Sequence, residues 1–245
     1  MKEEGVIRFD LEYTTSAPLT IPGLDELNAW RRILRQLGLF GQDSERYGGY
    51  GFGNISRRLP PFDAPENHRP FIISGSQTGH LTELSADGFA IVSDYDAGRN
   101  RVVATGPIKP SSESLTHGSV YNVNNDIRVI FHVHSPEIWR CASKLNLPVT
   151  DASVPYGTPA MAREVERLFE DVDHIETGVF VMGGHEDGVI AFGHTVDDTG
   201  CVLMRALAHS SDQGLSLRWS DLKIWTVPLF NIIYIIRTNG LAQNN

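Results

Sequence analysis

The chain has 245 residues, 41% hydrophobic and 21% charged, with a formal net charge of −9. That length buries a sizeable core, and the acidic balance with no basic run argues against a broad contact surface for nucleic-acid phosphates, although a cluster of neutral donors could still hold one small phosphate. Cys141 and Cys201 stand too far apart for a disulfide framework or a zinc ribbon, which points to a reducing, cytoplasmic home. No apolar segment follows Met1, and the most apolar run, residues 225–236, contains Pro228 and Asn231, so neither a signal peptide nor a membrane span is expected.

Taken in order, Ile7, Phe9, Leu11 and Tyr13 alternate with mostly polar neighbours and predict a strand. A turn-rich link over 14–23 leads to a helix over 24–37. Leu24, Leu27, Trp30, Ile33 and Leu37 share its apolar face, with Arg31, Arg32 and Arg35 elsewhere, and Gly38 closes it. Residues 41–53 are polar and glycine-rich. A short strand over 54–58, a proline-opened loop over 59–70 and a strand over 71–74 follow. Gly75-Ser-Gln-Thr-Gly79 then either presents backbone N–H groups to an anion or forms a plain turn. Another strand covers 89–92, and 94–100 reads as a polar turn.

The stretch Lys109-Pro-Ser-Ser-Glu-Ser-Leu-Thr-His-Gly-Ser-Val-Tyr121 predicts a helix running towards Asn124, with Ser111 or Ser112 as its cap. Free N–H groups and hydroxyls at such a start suit a small anion. Glu113 falls in the first turn, where it complements the helix dipole or does chemistry. His117, one turn later, reads as a supporting histidine rather than a ligand.

Ile127-Arg-Val-Ile-Phe-His-Val-His-Ser-Pro136 predicts the central strand. Side chains two apart leave on the same face, so His132 and His134 stand side by side with Arg128 and Ile130, opposite Val129, Phe131 and Val133. Two such imidazoles suit a borderline divalent metal, or else they pack as hydrogen-bonded core or rim histidines. A helix over 136–145, loops to 159 and an amphipathic helix over 161–169 follow. A strand over 178–182, a turn carrying His185 and a strand over 189–192 precede a helix that Thr195 caps, running to 207. Residues 217–237 hold three strand-like segments. The alternation of elements implies an α/β fold, a single domain over 1–245 with helices covering a mixed, mainly antiparallel sheet. Residues 1–23 form an N-terminal arm and 208–245 a C-terminal extension.

The order of these pieces resembles the class II aldolase/adducin family from about residue 28 to 207. The resemblance is carried by Leu37-Gly-Leu-Phe, Gly53-Asn-Ile-Ser-Arg-Arg, Thr78-Gly79, Ser111-Ser-Glu113 with His117 and Tyr121, Phe131-His-Val-His-Ser-Pro136, and His185 before Gly188-Val-Ile-Ala. It implies a homotetramer that holds zinc, or another divalent transition metal, and acts on a small molecule such as a sugar phosphate. It assigns His132, His134 and His185 to the metal and Glu113 to acid/base work. Asn54, Thr78, Gly79, Ser111 and Ser112 would surround a phosphate. No nucleic acid or membrane partner is implied.

The activity so implied is that of a lyase, cleaving a C–C bond in a hydroxy-carbonyl compound through an enediolate that the metal stabilises. An epimerase, a dehydratase or a decarboxylase on the same fold, and a non-catalytic adducin-like interaction module, are the alternatives. Three departures stand out. The third-ligand turn reads His185-Glu-Asp-Gly188 where the family usually has His-Gly, an insertion expected either to reshape the metal site or to put Glu186 or Asp187 beside it. The loop over 147–156 is short and lacks a protonating tyrosine, and Tyr156 is not assigned that role. The loop over 74–79 is two residues longer than usual.

Overall fold

The computed structural model describes residues 6–18, 20–170 and 175–210, and the strand-like segments expected over 217–237 lie outside them. Its framework is one eight-stranded open sheet. In chain order the strands are β1 (Asp10–Thr15), β4 (Asn54–Arg58), β5 (Phe71–Ser74), β6 (Phe89–Asp96), β7 (Arg101–Gly106), β8 (Val129–His134), β9 (Gly178–Val181) and β10 (Gly188–Gly193). A separate two-stranded ribbon pairs β2 (Gly41–Gln42) with β3 (Gly51–Phe52). The sheet order is β1-β7-β6-β5-β4-β8-β10-β9, and among the described strands only β1 with β7 pairs in parallel. The fold is the expected α/β class with a mainly antiparallel sheet.

Helices cover both faces. α1 (Leu24–Gln36), α3 (Pro136–Cys141) and α5 (Val196–Ser210) pack on the side of Ile55, Ile72, Phe131, Val133, Val189 and Ala191. α2 (Ser114–Val123) and α4 (Pro159–Phe169) pack on the side of Phe71, Ile73, Val92, Ile130, Phe180 and Ile190. Period-two alternation thus feeds two cores from one sheet. A fully buried side chain such as Phe131 contributes roughly 1.5–3 kcal/mol.

Several expectations need correction. The buried face of α1 is Leu27, Asn28, Arg31 and Leu34, while Ile33 and Leu37 are 39% and 49% exposed. The face is rotated because Arg31 goes inward, where its Nη2 donates to the carbonyls of Thr78 at 2.8 Å and Leu81 at 2.7 Å. Burial lowers the Arg31 guanidinium to about 10, so it stays cationic at neutral pH.

The N-terminal strand begins three residues later than its alternation implies. β6 runs on to Asp96, the polar turn expected over 94–100 shortens to 97–100, and a further strand, β7, follows it. α3 ends at Cys141, short of the expected 145. α2 starts at Ser114 with Glu113 as its N-cap and no side-chain cap. The Ser111 hydroxyl accepts the Glu113 N–H at 3.3 Å instead. The Thr195 cap is present: its Oγ1 accepts the Asp198 N–H at 3.0 Å, and the Thr195 N–H donates back to Asp198 Oδ2 at 3.1 Å.

Candidate active site

β8 is buried throughout because antiparallel neighbours flank it on both sides, β4 and β10. Val129, Phe131 and Val133 enter one core and Ile130 the other, so His132 and His134 leave on the Ile130 side. Ser135 ends the strand and caps α3, its Oγ accepting the Ile138 N–H at 3.3 Å ahead of Pro136 at the helix start.

His185 comes from the turn between β9 and β10. That turn closes through His185 N–H to the Met182 carbonyl at 3.1 Å and Gly188 N–H to the His185 carbonyl at 2.9 Å. The register pairs Gly188 with His134 and Ile190 with His132, which sets the turn beside the end of β8. The three imidazoles are 0–3% exposed, and their ring centroids lie 4.8–5.1 Å apart. One ligating nitrogen from each lies within 4.8 Å of the others. Glu113 is 1% exposed, with Oε1 3.4 Å from His185 Nδ1. The four groups come from three separated elements, and α2 holds Glu113 at its cap.

Three imidazoles converging in a buried cluster, with a carboxylate beside them, form a donor set that suits a borderline divalent ion. Aromatic rings wall the cluster. Tyr156 lies 4.5 Å from the His185 ring, and Tyr47 and Phe52 lie 4.4 and 5.3 Å from that of His134.

Asn54 is the direct antiparallel partner of His132, so the two side chains leave on one face. Its Oδ1 is buried and has no hydrogen-bond partner among the described residues. The loop over 74–79 runs against 109–113, joined by a bridge between Gly75 and Pro110 and by Ser76 N–H to the Lys109 carbonyl at 3.0 Å. These contacts bring the segments of Thr78, Gly79, Ser111 and Ser112 together. The Thr78 hydroxyl, however, turns back on its own loop and donates to the Gly75 carbonyl at 2.8 Å. Gly79 backs onto the ribbon, where a Cβ would strike the carbonyls of Phe52 and Gly41. Ser111 and Ser112 are buried, at 5% and 4% exposure.

His117 lies deeper. Its Nδ1 shares a hydrogen bond with Ser56 Oγ at 2.7 Å, and Ser56 Oγ meets the Tyr121 hydroxyl at 2.7 Å. Burial pushes the His117 imidazole down to about 3, which keeps it neutral. Ser56 could have been found by counting two along the strand from Asn54. Tyr47 carried no such signal, whereas the longer turn already offered Asp187, with Glu186, as a neighbour of the histidines.

An open, mainly antiparallel sheet with helices on both faces is the fold of the class II aldolases. Residues 43–206 match the class II aldolase and adducin N-terminal domain, and the chain belongs to that family. Among curated proteins it is 33% identical over 113 residues to a methylthioribulose-1-phosphate dehydratase of Gluconacetobacter diazotrophicus, covering 43% of this chain and 46% of that protein. The match therefore spans about half the length of that relative.

Among solved structures the chain is similar to YgbL of Klebsiella pneumoniae, with a TM-score of 0.54 and 18% identity over 82% of this chain and 95% of that one. It is also similar to L-fuculose-1-phosphate aldolase of Thermus thermophilus, with a TM-score of 0.52 and 16% identity over 91% and 98%. At these identities the likeness is one of fold. The family typically uses a divalent metal, which agrees with the three-histidine cluster. Among the described residues no helix is long and apolar enough to cross a membrane.

Proposed function

We propose that the chain is a metal-dependent lyase of the class II aldolase type, cleaving a carbon–carbon bond in a small hydroxy-carbonyl compound, phosphorylated in the first instance. One observation carries the reading: three buried imidazoles with nitrogens within 4.8 Å of one another and the Glu113 carboxylate 3.4 Å from His185. His132, His134 and His185 would hold the ion, with zinc as the first choice for an imidazole donor set. When bound, it supplies Lewis acidity towards the substrate oxygens.

Glu113 moves the proton. It takes it from the hydroxyl that becomes a carbonyl, the electron pair of the broken C–C bond passes towards the neighbouring carbonyl, and a proton then returns to carbon. Asn54, Ser111, Ser112 and the backbone of Thr78 and Gly79 hold the phosphate, since hydroxyl and N–H donors can bind it without arginine. Burial of the cluster excludes water from the reacting atoms.

The 33% identity to a dehydratase favours a second reading, loss of water from a hydroxy-carbonyl phosphate. Here Glu113 takes the proton next to the carbonyl and the hydroxyl one carbon further leaves as water. A screen of metal-loaded protein over short sugar phosphates and hydroxy-keto acids, read by mass spectrometry, separates the two. Cleavage gives two fragments, and dehydration gives one product lighter by a water. Lack of turnover on either class, with metal occupancy verified, would remove both readings and favour a non-catalytic interaction module.

A further inference from the structure

The turn that carries His185 is tethered by residues the proposed chemistry does not use. Tyr47 and Asp187 are 140 residues apart, yet the Tyr47 hydroxyl donates to Asp187 Oδ2 at 2.7 Å. Arg46 Nη2 donates to the same phenol oxygen at 2.5 Å and stands 3.8 Å from Asp187 Oδ2. Tyr47 at φ 51° and Asp187 at φ 60° both occupy the left-handed region, which L side chains adopt only where surrounding contacts hold them. The Asp187 carbonyl accepts the N–H of Ser135, the residue after His134, at 2.8 Å. The Tyr47 ring meets the His134 ring edge-on at 4.4 Å and Phe52 at 5.0 Å. A single tyrosine thus touches His134 with its ring and, with its hydroxyl, the residue two beyond His185.

We propose that Tyr47 and Asp187 are a positioning pair that fixes the His185 imidazole against that of His134, and so sets how tightly the cluster holds a divalent cation. The proposal rests on the reading of the cluster as a metal site. Its physical basis is the make-up of the turn. Gly183 and Gly184 precede His185 where the carbonyls of Thr150 and Val154 leave no room for a Cβ, so that side of the turn has no side chain of its own to anchor it. On that side the chain is held by the Gly183 N–H on Thr150 Oγ1 at 3.0 Å and by the contact of His185 with Met182. On the far side Asp187 supplies two bonds, one to the end of β8 and one to Tyr47. Tyr47 lies outside the two hydrophobic cores and Asp187 is a buried carboxylate of the turn itself, so the bond between them acts at the site. Groups that orient ligands from outside typically change metal affinity by about 10–100-fold.

The test measures zinc affinity of the full chain by competition with a chelator, together with the visible absorption of the cobalt(II) form. Tyr47→Phe keeps the ring on His134 and deletes the bond. Asp187→Asn keeps the size and weakens it. Asp187→Gly deletes the carboxylate but accepts φ 60° without strain, which guards against a variant that merely fails to fold. Each is expected to bind zinc about 10–100-fold more weakly and to change the cobalt spectrum. The Tyr47→Phe, Asp187→Asn double variant should be no weaker than the weaker single one, as for two residues acting through one bond. Asp187→Gly should melt, without metal, no lower than wild type.

Wild-type zinc affinity and spectrum in all three variants would overturn the proposal. So would an equal drop in melting temperature with and without zinc at unchanged affinity. Should wild type itself bind no zinc, or His185→Ala bind it as tightly as wild type, the metal reading falls and the pair with it. If His185→Ala weakens binding and the pair variants do not, the pair alone is wrong.

Discussion

Two side chains carry separable consequences at the level of single residues. Glu113 is buried beside His185, at the cap of α2 rather than inside the helix. Glu113→Gln keeps its size and removes the base, so zinc binding should survive while turnover on a confirmed substrate falls about 10²–10⁴-fold. Equal turnover at matched metal occupancy would return Glu113 to a helix-dipole role. His117 makes a prediction about pH. Its imidazole is held at about 3 in the folded chain, below the ordinary 6.5 it regains on unfolding. Between those values the unfolded chain binds a proton that the folded one does not, so this residue erodes stability as pH falls from 6.5 towards 3, by about 1.4 kcal/mol per pH unit. Above 6.5 it contributes no pH dependence. His117→Gln removes the titrating group, and urea unfolding at pH 7 and pH 5 should show a smaller loss for the variant than for wild type.

Among the elements, α1 and α5 meet where glycine is required. A Cβ on Gly200 would meet the ring of Trp30, which is fixed by its Nε1–H donating to Asp197 Oδ1 at 2.8 Å. Gly200→Ala is therefore expected to cost about 1–3 kcal/mol in denaturant unfolding. Arg31 poses a finer balance. Its two bonds to backbone carbonyls are each worth about 1.5–3 kcal/mol, but a cation desolvated this far loses several kcal/mol of hydration. Arg31→Met should thus change global stability little while speeding hydrogen exchange over 78–81, the loop it pins. The same arginine explains why the buried face of α1 differs from the expected one: residue type assigns arginine to solvent, and nothing local reports a carbonyl pair 47 and 50 residues away. β8 was legible because period two and a terminal proline are local facts. β7 was legible in principle, since Val102, Ala104 and Gly106 alternate as buried positions, but its polar partners Arg101, Thr105 and the preceding turn masked it. The Tyr47–Asp187 contact was not legible, because it depends on two left-handed residues meeting across the fold.

For the molecule as a whole, the proposed site draws on β4, β8, the β9–β10 turn and the cap of α2, so its geometry is a property of the assembled sheet. The homotetramer that the family resemblance implies is a proposal of the same scale. Ile33 on α1 and Leu37 at its C-cap are part-exposed apolar side chains that an assembly would cover. Light scattering that finds a stable monomer at micromolar concentration would count against it. The register of β8 has a consequence for how such a site can change. Both neighbours of β8 are locked to it in antiparallel pairs, so one residue inserted before His132 would turn both imidazoles into the core of Phe131 and Val133. The turn at 183–187 lies between paired strands rather than within one, so its shape is set by single tethers, such as Asp187 to Ser135 and to Tyr47, rather than by a ladder. Variation in the metal environment can therefore accumulate only on one side of the cluster: two histidines are the fixed jaw, and the third is the adjustable one.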